Sequence, residues 1–209
     1  MSNAKAGPSK IKVVYRDSSI LAAHKPAGIP TYAESRSAPP GCKEVLEEQL
    51  NQRLFPIHRI DSDTEGLVLF ALDSRAAAAF IRMFKEHRVK KTYLAWCVGT
   101  APERGSIKTP LKKHKSPETE SARTDFERIK VQHGFSYLRV FPFTGRFHQI
   151  RRHLDTFGHP LVGDPKYGDS KNWQEFFRGK PPALQLLAEA VEFEHPVSRK
   201  KILIKTRAS

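Results

Sequence analysis

Only two cysteines, Cys42 and Cys97, occur in 209 residues. That excludes a disulfide scaffold and a cysteine-ligated zinc centre, and it fits a reducing cytoplasm. No apolar run approaches the roughly 20 residues that span a bilayer, which excludes a helical membrane span. No apolar h-region follows Met1-Ser2-Asn3-Ala4, so secretion is unsupported and residues 1–8 are expected to be an expression tag or a disordered terminus. Neither a solenoid repeat nor a heptad pattern is present, and a monomer without an obligate protein partner is expected. Acidic residues are scarce: 22 Asp plus Glu stand against 36 Lys plus Arg, a formal charge of +14.

With 39% apolar and 28% charged residues, the chain has the composition of a folded domain rather than a basic tail. Residues 9–209 are expected to form a single domain. Its excess positive charge favours a polyanionic partner, because neutralising phosphates releases counterions. Between Arg82 and Lys115 ten Lys and Arg face two acids, Glu86 and Glu103, which favours a binding surface over a merely solvated one.

Ile11 to Tyr15 and Ile20 to Ala23 read as strands joined by Asp17-Ser18-Ser19. His24 to Gly41, broken by prolines, reads as loop. Leu46, Leu50 and Leu54 mark a helix within Glu44 to Leu54, ended by Pro56. Gly66 to Leu72 is an apolar run short enough for a buried strand, after which Asp73 or Ser74 caps a helix with Ala77, Phe80, Ile81 and Phe84 inward. In Lys91 to Val98 the alternation assigns Thr92, Leu94, Trp96 and Val98 to the core face. Gly99 to Glu120 lacks a period and reads as an extended loop. Two strands, Ala122 to Val131 and Phe135 to Phe141, flank His133-Gly134. A helix is expected over Arg146 to Phe157, then strands over Ala183 to Phe193 and Lys201 to Thr206. Without regular βαβ alternation the class is α+β.

The densest polar cluster is His58-Arg59-Ile60-Asp61-Ser62-Asp63-Thr64-Glu65-Gly66. It opens like a calcium loop, but Leu72 stands where the closing bidentate Glu belongs, and there is no H-E-x-x-H zinc pattern; no metal is expected. Two readings of Asp61 remain: a turn former bonded to backbone N–H groups, or a nucleophile or base held by the following strand. On the helix from Arg146, residues spaced 100° apart put Phe147, Ile150, Leu154 and Phe157 on one stripe with Arg151 at its edge, and Arg146, Gln149, Arg152 and His153 away from it. A guanidinium at a core boundary either snorkels to water or takes a carboxylate, and Asp61 is a natural partner. Tyr93 is either an ordinary strand residue or a stacking platform for a base. Lys91, Lys112 and Lys113 are candidates for phosphate contacts.

These residues resemble the RluA class of pseudouridine synthases in three blocks. His58 to Gly66 is similar to H-R-L-D-x-x-T-S-G, whose aspartate is catalytic. Lys91-Thr92-Tyr93-Leu94-Ala95 is similar to the K-x-Y-x-A strand that carries the active-site tyrosine. Thr144 to Leu154 with Gly158 to Gly168 is similar to G-R-x-H-Q-I-R-x-H-L…G-x-P-x-x-G-D-x-x-Y-G. Lys25-Pro26-Ala27-Gly28-Ile29-Pro30 extends the match over most of the chain. Ser62, Glu65 and Leu187-Ala188 depart from the family pattern, which carries Arg, Ser and His-Ala there.

The resemblance implies the pseudouridine synthase fold, a mixed and largely antiparallel sheet flanked by helices with a central basic cleft. It implies isomerisation of uridine in tRNA or ribosomal RNA, without a cofactor, by a catalytic domain lacking the S4-type RNA-binding domain common in the family. Asp61 would attack C1′ or remove the C2′ proton, Arg151 would pair with it, and Tyr93 would pack on the uracil. Arg59 would fill the space left by the flipped base, and His58, Thr64, Arg146, His148 and Gln149 would line the RNA site. The alternatives are an RNA-binding protein or chaperone of the same fold without catalysis, and a metal nuclease using Asp61, Asp63 and Glu65.

Overall fold

In a computed structural model of the chain, which describes residues 10–35, 37–168 and 183–207, the elements begin with a hairpin built on Asp17. Its Oδ1 accepts the N–H groups of Ser19 (2.7 Å) and Ile20 (2.9 Å), so the turn closes on a side chain. The turn joins β1 (Lys12–Arg16) to β2 (Ile20–Lys25), antiparallel, with a register shift between Val13 and Tyr15. The tag expected over residues 1–8 lies outside the described residues. Internal contacts divide the chain into two units, residues 1–89 with 190–209, and residues 90–189.

In the first unit β2 also pairs with β4 (Glu65–Ala71), and β3 (Phe55–Pro56) adds to β4. Ile20, Ala22, Leu67 and Leu69 pack with Phe80 and Met83 of α2 (Ser74–Lys85), whereas Leu21, Ala23, Val68 and Phe70 pack with Leu46 of α1 (Cys42–Leu50). Covered on both faces from Leu67 onward, β4 needs apolar residues there at every position, which explains its unbroken run. Helix α1 ends sooner than expected: Asn51 turns left-handed (φ 48°), so the chain leaves the helix five residues before Pro56. The Asp73 cap is as expected, its Oδ1 accepting Ala76 N–H at 2.8 Å. Ile81, expected inward, is 37% exposed, while Ala76 and Met83 are buried.

The second unit carries β5 (Lys90–Val98), β6 (Arg104–Ile107), β9 (Thr124–Gln132) and β10 (Phe135–Pro142), paired antiparallel in the order β5-β10-β9-β6. His133 (φ 50°) and Gly134 (φ 77°) form the two-residue turn between β9 and β10, whose left-handed backbone matches strand twist. The stretch expected as loop instead holds β6 and a small hairpin of β7 (Leu111–Lys112) and β8 (Thr119–Glu120). These short strands carry no hydrophobic alternation to reveal them. Helix α3 (Gln149–Thr156) contributes Ile150 and Leu154 to a core with Ala95, Cys97, Phe126, Leu138 and Val140.

The faces of β5 are the reverse of those expected. Ala95 and Cys97 are buried and Tyr93 packs beside them, while Trp96 stacks on Tyr137 at 4.7 Å under the Lys130 ammonium. Small side chains allow α3 and the Leu161 segment to approach, so residue bulk misleads about which face is core. The chain returns to the first unit within β11 (Leu186–Glu194), whose later residues pair with β12 (Lys201–Lys205). Strands and helices mix without βαβ order, so the α+β class is borne out. Among the described residues no helix is long and apolar enough to cross a membrane.

Candidate active site

Asp61 stands in the segment leading into β4, in the first unit. Its carbonyl accepts Thr64 N–H at 3.1 Å, closing a turn, and Thr64 itself is buried. One residue before Asp61, both polar backbone atoms of Ile60 are taken by the buried Thr31 hydroxyl, at 3.2 Å from N and 3.0 Å from O. One residue after it, Ser62 O accepts Gly28 N–H at 2.9 Å and the Lys25 ammonium at 2.9 Å. Lys25 also donates to Pro26 O (2.9 Å) and Ile29 O (2.7 Å) and is fully buried. Burial pulls its pKa down to about 8, opposed by negative charge that includes Asp63, Asp61 and Glu65. His24 and Lys25, expected in the loop, are the last residues of β2, and Lys25 with the loop after it stitches the aspartate segment in place from both sides of Asp61.

His58 and Arg59 divide in role. The His58 ring stacks on Phe84 (4.7 Å) and its Nε2 accepts Leu69 N–H at 3.0 Å, so it holds β4. Arg59 is exposed, its guanidinium 5.7 Å from the Tyr32 ring centroid. Glu65, one of the departures from the family pattern, meets His24 Nε2 at 2.8 Å, while His24 Nδ1 bonds Thr206 at 2.8 Å.

Tyr93 and Arg151 belong to the second unit. Tyr93 sits half-buried on the core face of β5. Lys91 turns its ammonium onto Thr144 O at 2.9 Å, and burial lowers its pKa to about 8. Helix α3 starts three residues later than Arg146, because His148 is left-handed (φ 51°) and interrupts the helical backbone. Gln149 fastens this start: its Oε1 accepts Arg146 N–H (3.0 Å) and the Thr144 hydroxyl (2.6 Å), and its Nε2 donates to Arg123 O and Thr124 Oγ1 (both 2.9 Å).

Gln149 and His153, placed away from the core by the helical projection, are buried. The projection assumes one covered face, whereas α3 is met by Thr124 and Thr109 at His153 and by Asp164 at Arg151. Arg151 is 2% exposed. Within its unit the acceptor it meets is Asp164, a residue the sequence pattern did not nominate, at 2.8 Å from Nε and 2.7 Å from Nη2. The signal was present, since Asp164 lies in the G-D-x-x-Y-G block.

Around the start of α3 the rings of His114, Phe147 and His148 follow one another at centroid spacings of 4.2 and 3.8 Å. Lys166 lies over Phe147 at 5.5 Å. Burial, followed by the Arg151 and Lys166 charges, lowers the His148 pKa to about 4. Arg146 bonds Glu120 (2.9 Å) and Ser121 O (3.0 Å). Lys112 is exposed on β7, with its carbonyl held by Arg152 at 2.9 Å, and Lys113 pairs with Glu118.

Residues 19–156 match the family model of RNA pseudouridylate synthase. The chain belongs to that family. It is 33% identical to tRNA pseudouridine synthase C of Haemophilus ducreyi over 93% of this chain and 90% of the relative. The corresponding figures for tRNA pseudouridine synthase C of Vibrio parahaemolyticus are 31%, 95% and 90%. Among solved structures, Human RNA Pseudouridylate Synthase Domain Containing 1 superposes with a TM-score of 0.79 at 23% identity, covering 100% of this chain and 86% of that one. Human RNA Pseudouridylate Synthase Domain Containing 4 gives 0.80 at 20% identity over 95% and 88%. The fold is that of pseudouridine synthases, and the resemblance to the RluA class is borne out. The activity that follows is isomerisation of uridine to pseudouridine in RNA.

Proposed function

We propose that this synthase modifies tRNA in the cytoplasm, acting as a monomer, with Asp61 as its catalytic residue and Tyr93 and Arg151 as its partners. The observation that carries the tRNA reading is the match, over more than nine-tenths of the chain, to relatives named tRNA pseudouridine synthase C. The reading of Asp61 is supported by its position in the H-R-I-D block and by the stitching of its backbone through Lys25, Gly28 and Thr31. A carboxylate that attacks or takes a proton gains from a backbone fixed before substrate arrives.

The N1–C1′ bond breaks, the uracil turns while bound, and a C5–C1′ bond forms. The C5 hydrogen leaves as a proton and N1 ends protonated, so the product is an isomer and no redox step is required. Asp61 reacts at the sugar, by attack on C1′ or removal of the C2′ proton. Arg151, as the family resemblance implies, is the cation assigned to keep that carboxylate ionised. Tyr93 packs on the uracil. Arg59, exposed and adjacent to the catalytic block, fills the space of the flipped nucleotide, at a cost of a few kcal/mol, roughly, that cationic contacts offset. Exposed Lys112 and Lys113 supply phosphate contacts, with Arg146 and His148 beside them. His58, Thr64, Lys91 and Gln149 support the RNA site through the backbone they hold.

The test is hydrogen release from RNA labelled at uridine C5, with tRNA and ribosomal RNA compared. Wild-type protein releases label from tRNA, and Asp61→Asn binds the RNA but releases none. Turnover by Asp61→Asn would refute the catalytic assignment, and release confined to ribosomal RNA would refute the substrate.

A further inference from the structure

Arg151 carries a full charge in a side chain 2% exposed, and its partner Asp164 is wholly buried there (0%). The contact is a two-point fork, Nε to Oδ2 at 2.8 Å and Nη2 to Oδ1 at 2.7 Å. Such a fork fixes the plane of a guanidinium as well as its place. Asp164 has little freedom of its own, because its Oδ1 also accepts the backbone N–H groups of Lys166 (2.9 Å) and Tyr167 (3.0 Å). Gly163, at φ 73°, supplies the left-handed bend at which that turn begins. The Tyr167 ring then lies 5.3 Å from Arg151 Cζ. The guanidinium is thus held at one edge by a carboxylate locked to the backbone and covered by an aromatic ring. Buried ion pairs add little stability compared with apolar packing, so a cation held this tightly in a core points to use rather than to fold maintenance.

We propose that Asp164 is a positioning residue for the isomerisation: its carboxylate aims the Arg151 guanidinium so that the donors outside the fork serve the reacting carboxylate. This rests on the proposed partnership of Arg151 with Asp61. Asp164 does not touch RNA; it acts through Arg151.

The experiment measures kcat, KM and the pH–rate profile of C5-hydrogen release from tRNA for the full chain and for Asp164→Asn, Asp164→Glu and Arg151→Met. In Asp164→Asn, kcat falls about 100-fold, the scale of a misplaced catalytic group. KM for RNA stays within about threefold, because what is lost is made in the transition state. A loosened guanidinium lowers the pKa of Asp61 less, so the acid limb of kcat moves to higher pH. Asp164→Glu restores the charge but displaces the fork by a methylene, and its kcat lies between Asp164→Asn and wild type. Folded Asp164→Asn with wild-type kcat, or with a reduced active fraction and an unmoved acid limb, overturns the proposal. If Asp164→Asn does not fold, wild-type kcat in Asp164→Glu overturns it. Undisturbed turnover in Arg151→Met removes the underlying partnership, and the role of Asp164 with it.

Discussion

The Lys25 ammonium donates to the carbonyl of Ser62 at 2.9 Å, one residue beyond Asp61. With Pro26 O and Ile29 O it completes three bonds inside a fully buried site. Lys25→Met keeps much of the side-chain length and removes the donors, leaving three carbonyls short of a partner. We predict a loss of about 3 kcal/mol of stability. Urea unfolding reads the stability, and C5-hydrogen release at low temperature reads the loosened aspartate segment. A variant as stable and as fast as wild type would show that the ammonium holds nothing.

Gln149 makes four side-chain hydrogen bonds around the left-handed residue that precedes α3. Gln149→Leu fits the volume but strands the Arg146 N–H and removes one of the two donors to the Arg123 carbonyl, which keeps Phe143 N–H. The expected cost is about 3 kcal/mol in chemical denaturation. A change below about 0.5 kcal/mol, typical of surface substitutions, would remove this network from the account of α3.

His148 gives a pH dependence of known sign. It titrates near 6.5 when unfolded, and in the fold burial together with Arg151 and Lys166 lowers it to about 4. Between those values the unfolded chain takes up a proton that the folded chain refuses. The contribution of His148 is therefore fully present above 6.5 and is lost as pH falls towards 4. Urea midpoints of wild type and His148→Asn at about pH 7.5 and about pH 4.5 check this, the wild type losing more stability on acidification. Equal losses, or a greater loss in the variant, would contradict the shift.

Lys112 and Lys113 lie on the β7–β8 hairpin, exposed. If both reach phosphates, replacing both with Ala weakens RNA binding by a similar factor for all sequences. The slope of log affinity against log salt then becomes shallower by roughly one for each lysine. Fluorescence titrations at several salt concentrations measure it, and an unchanged slope would exclude both residues from the phosphate contacts.

Elements announced by their own chemistry were legible in the chain. Asp17 and Asp73 cap backbone N–H groups two or three residues away, so turn and helix start follow from local spacing. Strand β4, covered on both faces, displays its burial as an unbroken apolar run. Asp61, Tyr93 and Arg151 stood out because whole motif blocks surround them. Lys25, by contrast, reads as an ordinary loop cation until the fold places three carbonyls around it.

What local order cannot encode is which side of an element its neighbours will cover. Trp96 is bulkier than Ala95 or Cys97, yet the small pair faces the core because α3 and Leu161 approach there. His153 and Gln149 look like solvent-facing polar residues, and Thr109, Thr124 and Arg123, distant in the chain, complete the hydrogen bonds that permit their burial. The short strands β6, β7 and β8 exist through pairing and not through propensity. The chain by itself determined its class, its strongly periodic elements and the residue types available for chemistry, all set by interactions a few positions long. Tertiary structure alone decided the inward face of β5, the first residue of α3 and the carboxylate that grips Arg151, because each depends on atoms brought together across the fold.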